Sequence, residues 1–384
     1  MRSALVAAEI AVALVVLTAA GLLIRSFAGL RRVDAGFLTE AVATAPLPLP
    51  TSRYPAPKDQ ARFYGQVVER LGASGLYAVA AGYPVPFGDG AASAAPVRRE
   101  NQPASDVDGM TLFSTVTPSY FQVLGIPLLT GRAFTEADEA GRPGVVVVSR
   151  AAAVRFWPGE DPIGHRITLG GDELFTVVGI VGDVRRKGLD QPAEPMVYLS
   201  YRQFTLPFFT LFARSQDPRA LAAAMRAAVR ELDPELPLGA VETMDELRRR
   251  SVAEPRFRTV FLGLFAALGL TLAAVGLYGV VSDGVGRRAR EIGIRMALGA
   301  ERDQVLKLVL TDGLRLALWG AALGLLASLA LGRVVASFLF GVSAADPLTL
   351  TAVSFLLLAV TALAAYLPAR RASRLDPVAA IRNE

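Results

Sequence analysis

Cysteine is absent from the 384 residues, and histidine occurs once. The two absences remove a disulfide framework, a thiol nucleophile and every Cys-based or multi-His metal site. The single imidazole, His165 in Asp161-Pro-Ile-Gly-His-Arg-Ile, reads as a turn or surface residue. No G-x-x-x-x-G-K-[ST] run occurs, so the chain has no P-loop to cradle nucleotide phosphates. A G-x-S-x-G elbow is missing too, and any Ser-His-Asp assembly would have to use His165. The carboxylate pairs Asp138/Glu139 and Glu160/Asp161 stand in polar, turn-like stretches and read as solvated caps, not acid–base pairs. These observations predict a chain that is not an enzyme and binds no metal or cofactor of its own.

Charge is scarce as well. Charged residues make up 20% of the chain and hydrophobic ones 52%, with a mean hydropathy of +0.40. That is too apolar for an ordinary soluble domain. A membrane span needs about 20 mostly apolar residues. Ala4–Ile24, Phe261–Val281, Leu314–Leu331 (extendable toward Phe340) and Leu350–Leu367 qualify. The first is longer than the roughly 7–15 apolar residues of a signal peptide. It is followed by Arg25-Ser-Phe instead of a small-residue cleavage site, so it reads as a retained span. The isoelectric point near 9.7 invites a nucleic-acid partner, but the net charge is only +5. The basic residues cluster at membrane edges, which topology explains without a polyanion.

Short loops rich in Lys and Arg stay in the cytoplasm. The loop Ser282–Thr311 carries Arg287, Arg288, Arg290, Arg295, Arg302 and Lys307, and the tail carries Arg370, Arg371, Arg374 and Arg382. The connection Gly332–Pro347 holds only Arg333. Both termini are therefore expected inside and Leu38–Glu254 outside. Arg25, Arg31 and Arg32, just beyond the first span, run against this pattern.

Residues 1–30 are thus expected to form the first transmembrane helix and 31–255 an extracytoplasmic domain with a stalk. Residues 256–384 then hold helices near 259–281, 314–335 and 349–367, a cytoplasmic loop 282–313 and a cytoplasmic tail 368–384. The outer domain reads as α+β. Ala61–Leu71 has helical apolar spacing, and Gly144–Val148, Leu174–Val181, Met196–Tyr201 and Phe208–Ala213 read as strands. Ala151–Trp157 reads as a short helix ended by Pro158, and Asp217 as the N-cap of a helix through Leu232. Pro84–Pro103 reads as a loop. Glu242–Phe257 is a polar helix, either continuing into the second span or breaking at Pro255.

The spans read as nearly devoid of ionisable groups. Glu9 stands out, as a snorkelling or capping group or an interhelical contact. No solute path is indicated. Gly320, Gly324, Ser328 and Gly332 form a small-residue stripe along the third span, with Gly313, Ala317 and Ala321 beside it and Gly269 and Ala273 in the second. Such stripes let helices approach closely.

Arg290-Glu-Ile-Gly-Ile-Arg-Met-Ala-Leu-Gly-Ala300 resembles the signature loop of FtsX/MacB-type ABC transporter permeases. Pro368-Ala-Arg-Arg-Ala-Ser-Arg-Leu-Asp-Pro-Val-Ala-Ala-Ile-Arg382 resembles their C-terminal motif. Arg155-Phe-Trp-Pro-Gly-Glu-Asp-Pro-Ile-Gly164 and Val177-Val-Gly-Ile-Val-Gly-Asp-Val-Arg185 are similar to the MacB-type periplasmic core. With Glu254-Pro-Arg-Phe257 and Ala274-Val-Gly-Leu-Tyr-Gly279 they resemble the duplicated orphan branch, whose members carry two tandem copies of the unit. This chain has one and opens at Met1-Arg-Ser-Ala-Leu, so the resemblance implies a second-half unit or a shortened chain.

The resemblance implies an α-helical membrane protein with four transmembrane helices and a large α+β extracytoplasmic domain of MacB periplasmic-core type. It also implies a multi-pass protein of the bacterial inner membrane, acting as a homodimer or with a tandem partner half. A separate cytoplasmic ABC ATPase would bind the ATP and move the outer domain, for export or mechanotransmission. Arg288, Glu291, Ile292, Arg295 and Leu298 would dock that ATPase. The alternative is a non-transporting scaffold that regulates a periplasmic partner such as a cell-wall hydrolase.

Overall fold

The computed structural model describes every residue except 1, 76, 89–92, 101, 103–108, 216, 298–300 and 374–384. It divides into two compact units, Met1–Arg32 with Glu254–Glu384, and Val33–Ala253. Along the chain, α1 (Arg2–Leu30) precedes β1 (Val42–Pro48), α2 (Pro57–Gly72), β2 (Ala78–Tyr83), β3 (Ala94–Arg99) and β4 (Met110–Val116). Next come α3 (Tyr120–Val123), β5 (Leu128–Gly131), β6 (Gly144–Ser149), α4 (Arg150–Phe156), β7 (Arg166–Leu169), β8 (Leu174–Val181) and β9 (Met196–Ser200). The second unit ends with β10 (Phe208–Arg214), α5 (Pro218–Leu232), β11 (Glu242–Thr243) and α6 (Met244–Ser251). Four helices follow: α7 (Ala253–Arg287), α8 (Ala289–Ala297), α9 (Arg302–Ala336) and α10 (Pro347–Ala372).

Within Val33–Ala253 the strand order β11-β1-β10-β2 is antiparallel throughout. With α2 after β1 and α5 after β10, this is the split β-α-β arrangement of a ferredoxin-like sheet. Phe63, Tyr64, Val67 and Leu71 repeat at helical spacing on α2, and Leu221, Met225 and Val229 on α5. All are buried against Ala45, Leu47, Phe209 and Leu211 of the sheet. Tyr64 is central to this core. Its ring stacks on Phe209 at 4.6 Å, its hydroxyl donates to the Leu47 carbonyl at 3.0 Å and accepts from the Phe209 amide at 3.1 Å.

Everything between β2 and β10 is an insertion with its own core. β4, β3, β7, β8, β6 and β9 follow one another, and β9 returns to pair in parallel with β4, so the six strands close on themselves. Closure removes exposed edges. Val146, Val148, Val177, Val197 and Leu199 form one buried cluster with Phe156 of α4 and Trp157 just after it. Ser149 caps α4, accepting from Ala152 N at 3.2 Å, and Pro158 cannot continue it.

The α+β reading and the helix and strand positions agree with this fold, with three differences. The Pro84–Pro103 stretch contains β3, paired to β4 and β7 on its two sides with Val97 buried; tertiary pairing overrides its Ala/Gly/Pro composition. Asp138 is buried and not a solvated cap. It accepts from Arg132 at 2.8 and 2.9 Å and from the Thr135 amide at 2.8 Å. Arg132 above all holds its carboxyl below the usual range. The polar helix ahead of the second span breaks at Val252 (φ −104°, ψ 6°), and Pro255 instead lies in the first turn of α7. α6 satisfies itself locally: Thr243 caps Glu246 N at 3.2 Å, and Arg250 pairs with Glu242 at 2.7 Å.

In the other unit, α1, α7, α9 and α10 are each long and apolar enough to cross a membrane. The small-residue stripe lies where helices cross. A Cβ at Gly320 would fall 2.7 Å from Ile10 and 2.8 Å from the Ala7 carbonyl oxygen; one at Gly324 would fall 2.8 Å from Leu14 and from the Ala11 carbonyl oxygen. Ser328 is buried, with its hydroxyl donating to the Gly324 carbonyl at 2.8 Å, and Gly332 faces Ala344. On the neighbouring stripe Gly313 meets Ala365 of α10 and Val281 of α7. α9 is thus the hub. α7 buries only Ala266, Ala273, Leu277 and Val281, one narrow line. Glu9 turns to α7, with its carboxylate oxygen 2.5 Å from where a Cβ at Gly276 would stand. Arg25, which ran against the charge pattern, is ion-paired with Asp346, the N-cap of α10.

Candidate functional site

The basic loop between α7 and α9 folds into the short helix α8. Glu291 precedes Arg295 by one turn, the favourable order for an i,i+4 pair, and the two meet at 2.7 Å. Arg288 bonds Asp312 of α9 at 2.9 Å, tying the start of α8 to the bundle. Arg287 bonds Asp283 at 2.9 Å. Exposed pairs like these contribute little stability; here they set where the side chains stand.

α8 is two-faced. Ile292 is 3% exposed and joins Val281, Val305 and Val309 in the bundle core, with Met296 packed beside it. Glu291, Ile294 and Arg295 face outward. The predicted docking residues therefore separate: Arg288, Glu291 and Arg295 are exposed, Ile292 is buried, and Leu298 lies outside the described residues. In the C-terminal motif, Pro368, Ala369 and Ala372 are buried and Arg371 donates to the Tyr278 hydroxyl at 2.8 Å; residues 374–384 lie outside the described residues.

Two features escape the sequence patterns. Arg315 sits one residue inside the third apolar segment, so Glu9 is not alone there as an ionisable group. The Val33–Ala253 unit has a cleft of about 880 Å³ lined by Lys58, Arg62 and Glu69 of α2 and by Glu136, Tyr201 and Arg202. Arg202 pairs with Glu136 at 2.7 Å and Glu139 at 3.7 Å, and the Tyr201 hydroxyl donates to Glu136 at 3.1 Å. Those residues are distant in sequence and form no motif. Among the described residues no cluster of His, Asp or Glu is placed to hold a metal. His165 is exposed in a turn, its amide bonded to the Pro162 carbonyl at 3.2 Å.

Residues 41–231 match the MacB-like periplasmic core domain and residues 263–377 the FtsX-like permease C-terminal domain. The chain is 31% identical over 280 residues to the pyoverdine export ATP-binding/permease protein PvdT of Pseudomonas syringae pv. tomato, covering 67% of this chain and 40% of that protein. It is 27% identical to the macrolide export ATP-binding/permease protein MacB of Marinobacter nauticus, covering 67% and 41%. The chain thus spans about two fifths of the length of these relatives. Among solved structures, the periplasmic region of MacB from Actinobacillus actinomycetemcomitans aligns with 56% of this chain and 94% of its own length, at 15% identity and TM-score 0.40. With one span-length helix, a MacB-like periplasmic core domain and an FtsX-like permease C-terminal domain that takes in the other three span-length helices, in this order, the chain belongs to the FtsX/MacB-type family of ABC transporter permeases.

Proposed function

We propose that this chain is the permease subunit of a MacB/FtsX-type complex in a bacterial inner membrane. A separate cytoplasmic ABC ATPase docks on α8, and its cycle moves the Val33–Ala253 domain on the other side, in export or mechanotransmission. The observation that carries the reading is the two-faced α8. A helix anchored by Ile292 and Arg288 cannot turn without pulling on α7 and α9, while Glu291, Ile294 and Arg295 remain open to a partner. Motion delivered there enters close-packed helices, which transmit displacement. No P-loop occurs in these residues, so in this reading the ATP site lies outside them. The apolar outer face of α7 suits a second copy or a tandem half.

The test is co-purification of an ATPase from the same cells with the full chain. Glu291→Arg with Arg295→Glu, which keeps the pair and reverses its polarity, should reduce capture about tenfold or more, the factor that about 1.4 kcal/mol gives. Undiminished capture would remove α8 from the interface. If no ATPase is captured and deletion of the gene alters only the cell wall, the scaffold reading takes its place.

A further inference from the structure

Between the end of α7 and the first half of α9, bordered by Ile292 of α8, lies a cleft of about 550 Å³, within the usual range of about 300–1,000 Å³ for small-molecule sites. Val281, Leu316 and Trp319 line its wall, and Arg287, Arg288 and Arg315 stand around it. The arginines differ in what they bind. Arg287 is engaged with Asp283 and Arg288 with Asp312, each at 2.9 Å. Arg315 is exposed and has no acid partner among the described residues. The cleft therefore joins an apolar wall to one guanidinium with open donors.

Position sharpens this. Trp319 follows Arg315 by one helical turn on α9 and is 70% exposed. An exposed tryptophan beside an arginine, where a helix passes from its polar to its apolar part, marks the headgroup level of a bilayer. A guanidinium there offers a fork of donors matched to two phosphate oxygens. Basic pockets between helices on the cytoplasmic side take anionic headgroups.

We propose that this cleft binds one anionic phospholipid, its phosphate on Arg315 and an acyl chain along Val281, Leu316 and Trp319. Ile292 of α8 and Arg288 just before it border the same cleft, so the lipid braces the docking helix where it meets the bundle. The bracing role rests on the reading of α8 as the docking element; the binding site does not.

The experiment is native mass spectrometry of the full chain in mild detergent with phosphatidylglycerol or phosphatidylethanolamine added. One phosphatidylglycerol should be retained about fivefold over phosphatidylethanolamine, the preference expected of one arginine at an anionic headgroup. Arg315→Gln should abolish the preference, and Arg315→Lys should keep part of it. Arg333→Gln, at the far end of α9, should leave it intact. Equal retention of the two lipids, an undiminished preference in Arg315→Gln, or equal loss in Arg333→Gln overturns the site. ATPase capture is measured in parallel: lost capture with intact lipid preference in Arg315→Gln means that this arginine meets the ATPase, and also overturns it. Capture lost only in the α8 variants, with lipid binding unchanged, leaves the site standing and separates it from the docking reading.

Discussion

Gly320→Leu is expected to disrupt the helix bundle, giving aggregated or poorly extracted protein in detergent. α9 approaches α1 so closely at this point that even a Cβ would enter Ile10 and the Ala7 carbonyl oxygen, at 2.7 and 2.8 Å. Backbone cannot yield as a flexible side chain does, so the helices must separate along the Gly320–Gly324 crossing. Gly320→Ala should already destabilise by about 1–3 kcal/mol, the ordinary cost of overpacking. Size-exclusion profiles after heating would rank the variants. Gly279→Leu is the control: nothing lies within 4 Å of a Cβ there, and it should behave as wild type. A Gly320→Leu protein as heat-resistant as wild type would contradict the packing described for α9.

Ile292→Asp is expected to abolish ATPase capture while leaving the outer domain folded. Among the described side chains of α8, Ile292 is the buried one, in the same core as Val281, Val305 and Val309. A carboxylate there meets an apolar wall with no partner, and burying an unpaired charge costs several kcal/mol. α8 can escape that cost by lifting off the bundle, which removes the docking surface as a unit. Capture should fall at least as far as in the Glu291/Arg295 exchange, although Ile292 itself touches no partner. Fluorescence of Trp157, buried in the core of the inserted strands, reports whether the Val33–Ala253 domain stays folded when Trp319, the other tryptophan, is replaced by Phe. Normal capture by Ile292→Asp would mean that the packing of α8 plays no part in docking.

Much of this architecture is legible in the sequence. Spans declare themselves because their pattern is local: Phe261–Val281 needs only length and composition to be recognised. Apolar spacing likewise marks α2 through Phe63, Val67 and Leu71. β3 is hidden, because Ala94–Arg99 becomes a strand through partners at Met110–Leu112 and Ile167–Leu169, not through its own propensity. Closure of the barrel through β4 and β9 is equally nonlocal. In the site, Glu291, Ile292 and Arg295 share one helix, and Arg288 stands in the turn just before it. Which of them turns inward depends on α9, whose Val305 and Val309 receive Ile292. Arg315 goes unnoticed for a simpler reason. One arginine at the edge of an apolar run does not change the run's character, and its significance appears only when Arg287 and Arg288 are seen to be paired and it is not.

The relay requires the outer domain and α8 to lie on opposite sides of the membrane. Because the chain has no cysteine, single cysteines introduced at exposed Glu173 in the outer unit and exposed Ile294 on α8 can be read without background. A membrane-impermeant thiol reagent added to cells with a permeable outer envelope should label Glu173→Cys directly and Ile294→Cys only after the inner membrane is opened. Labelling of Ile294→Cys in sealed cells, or protection of Glu173→Cys, would contradict the account.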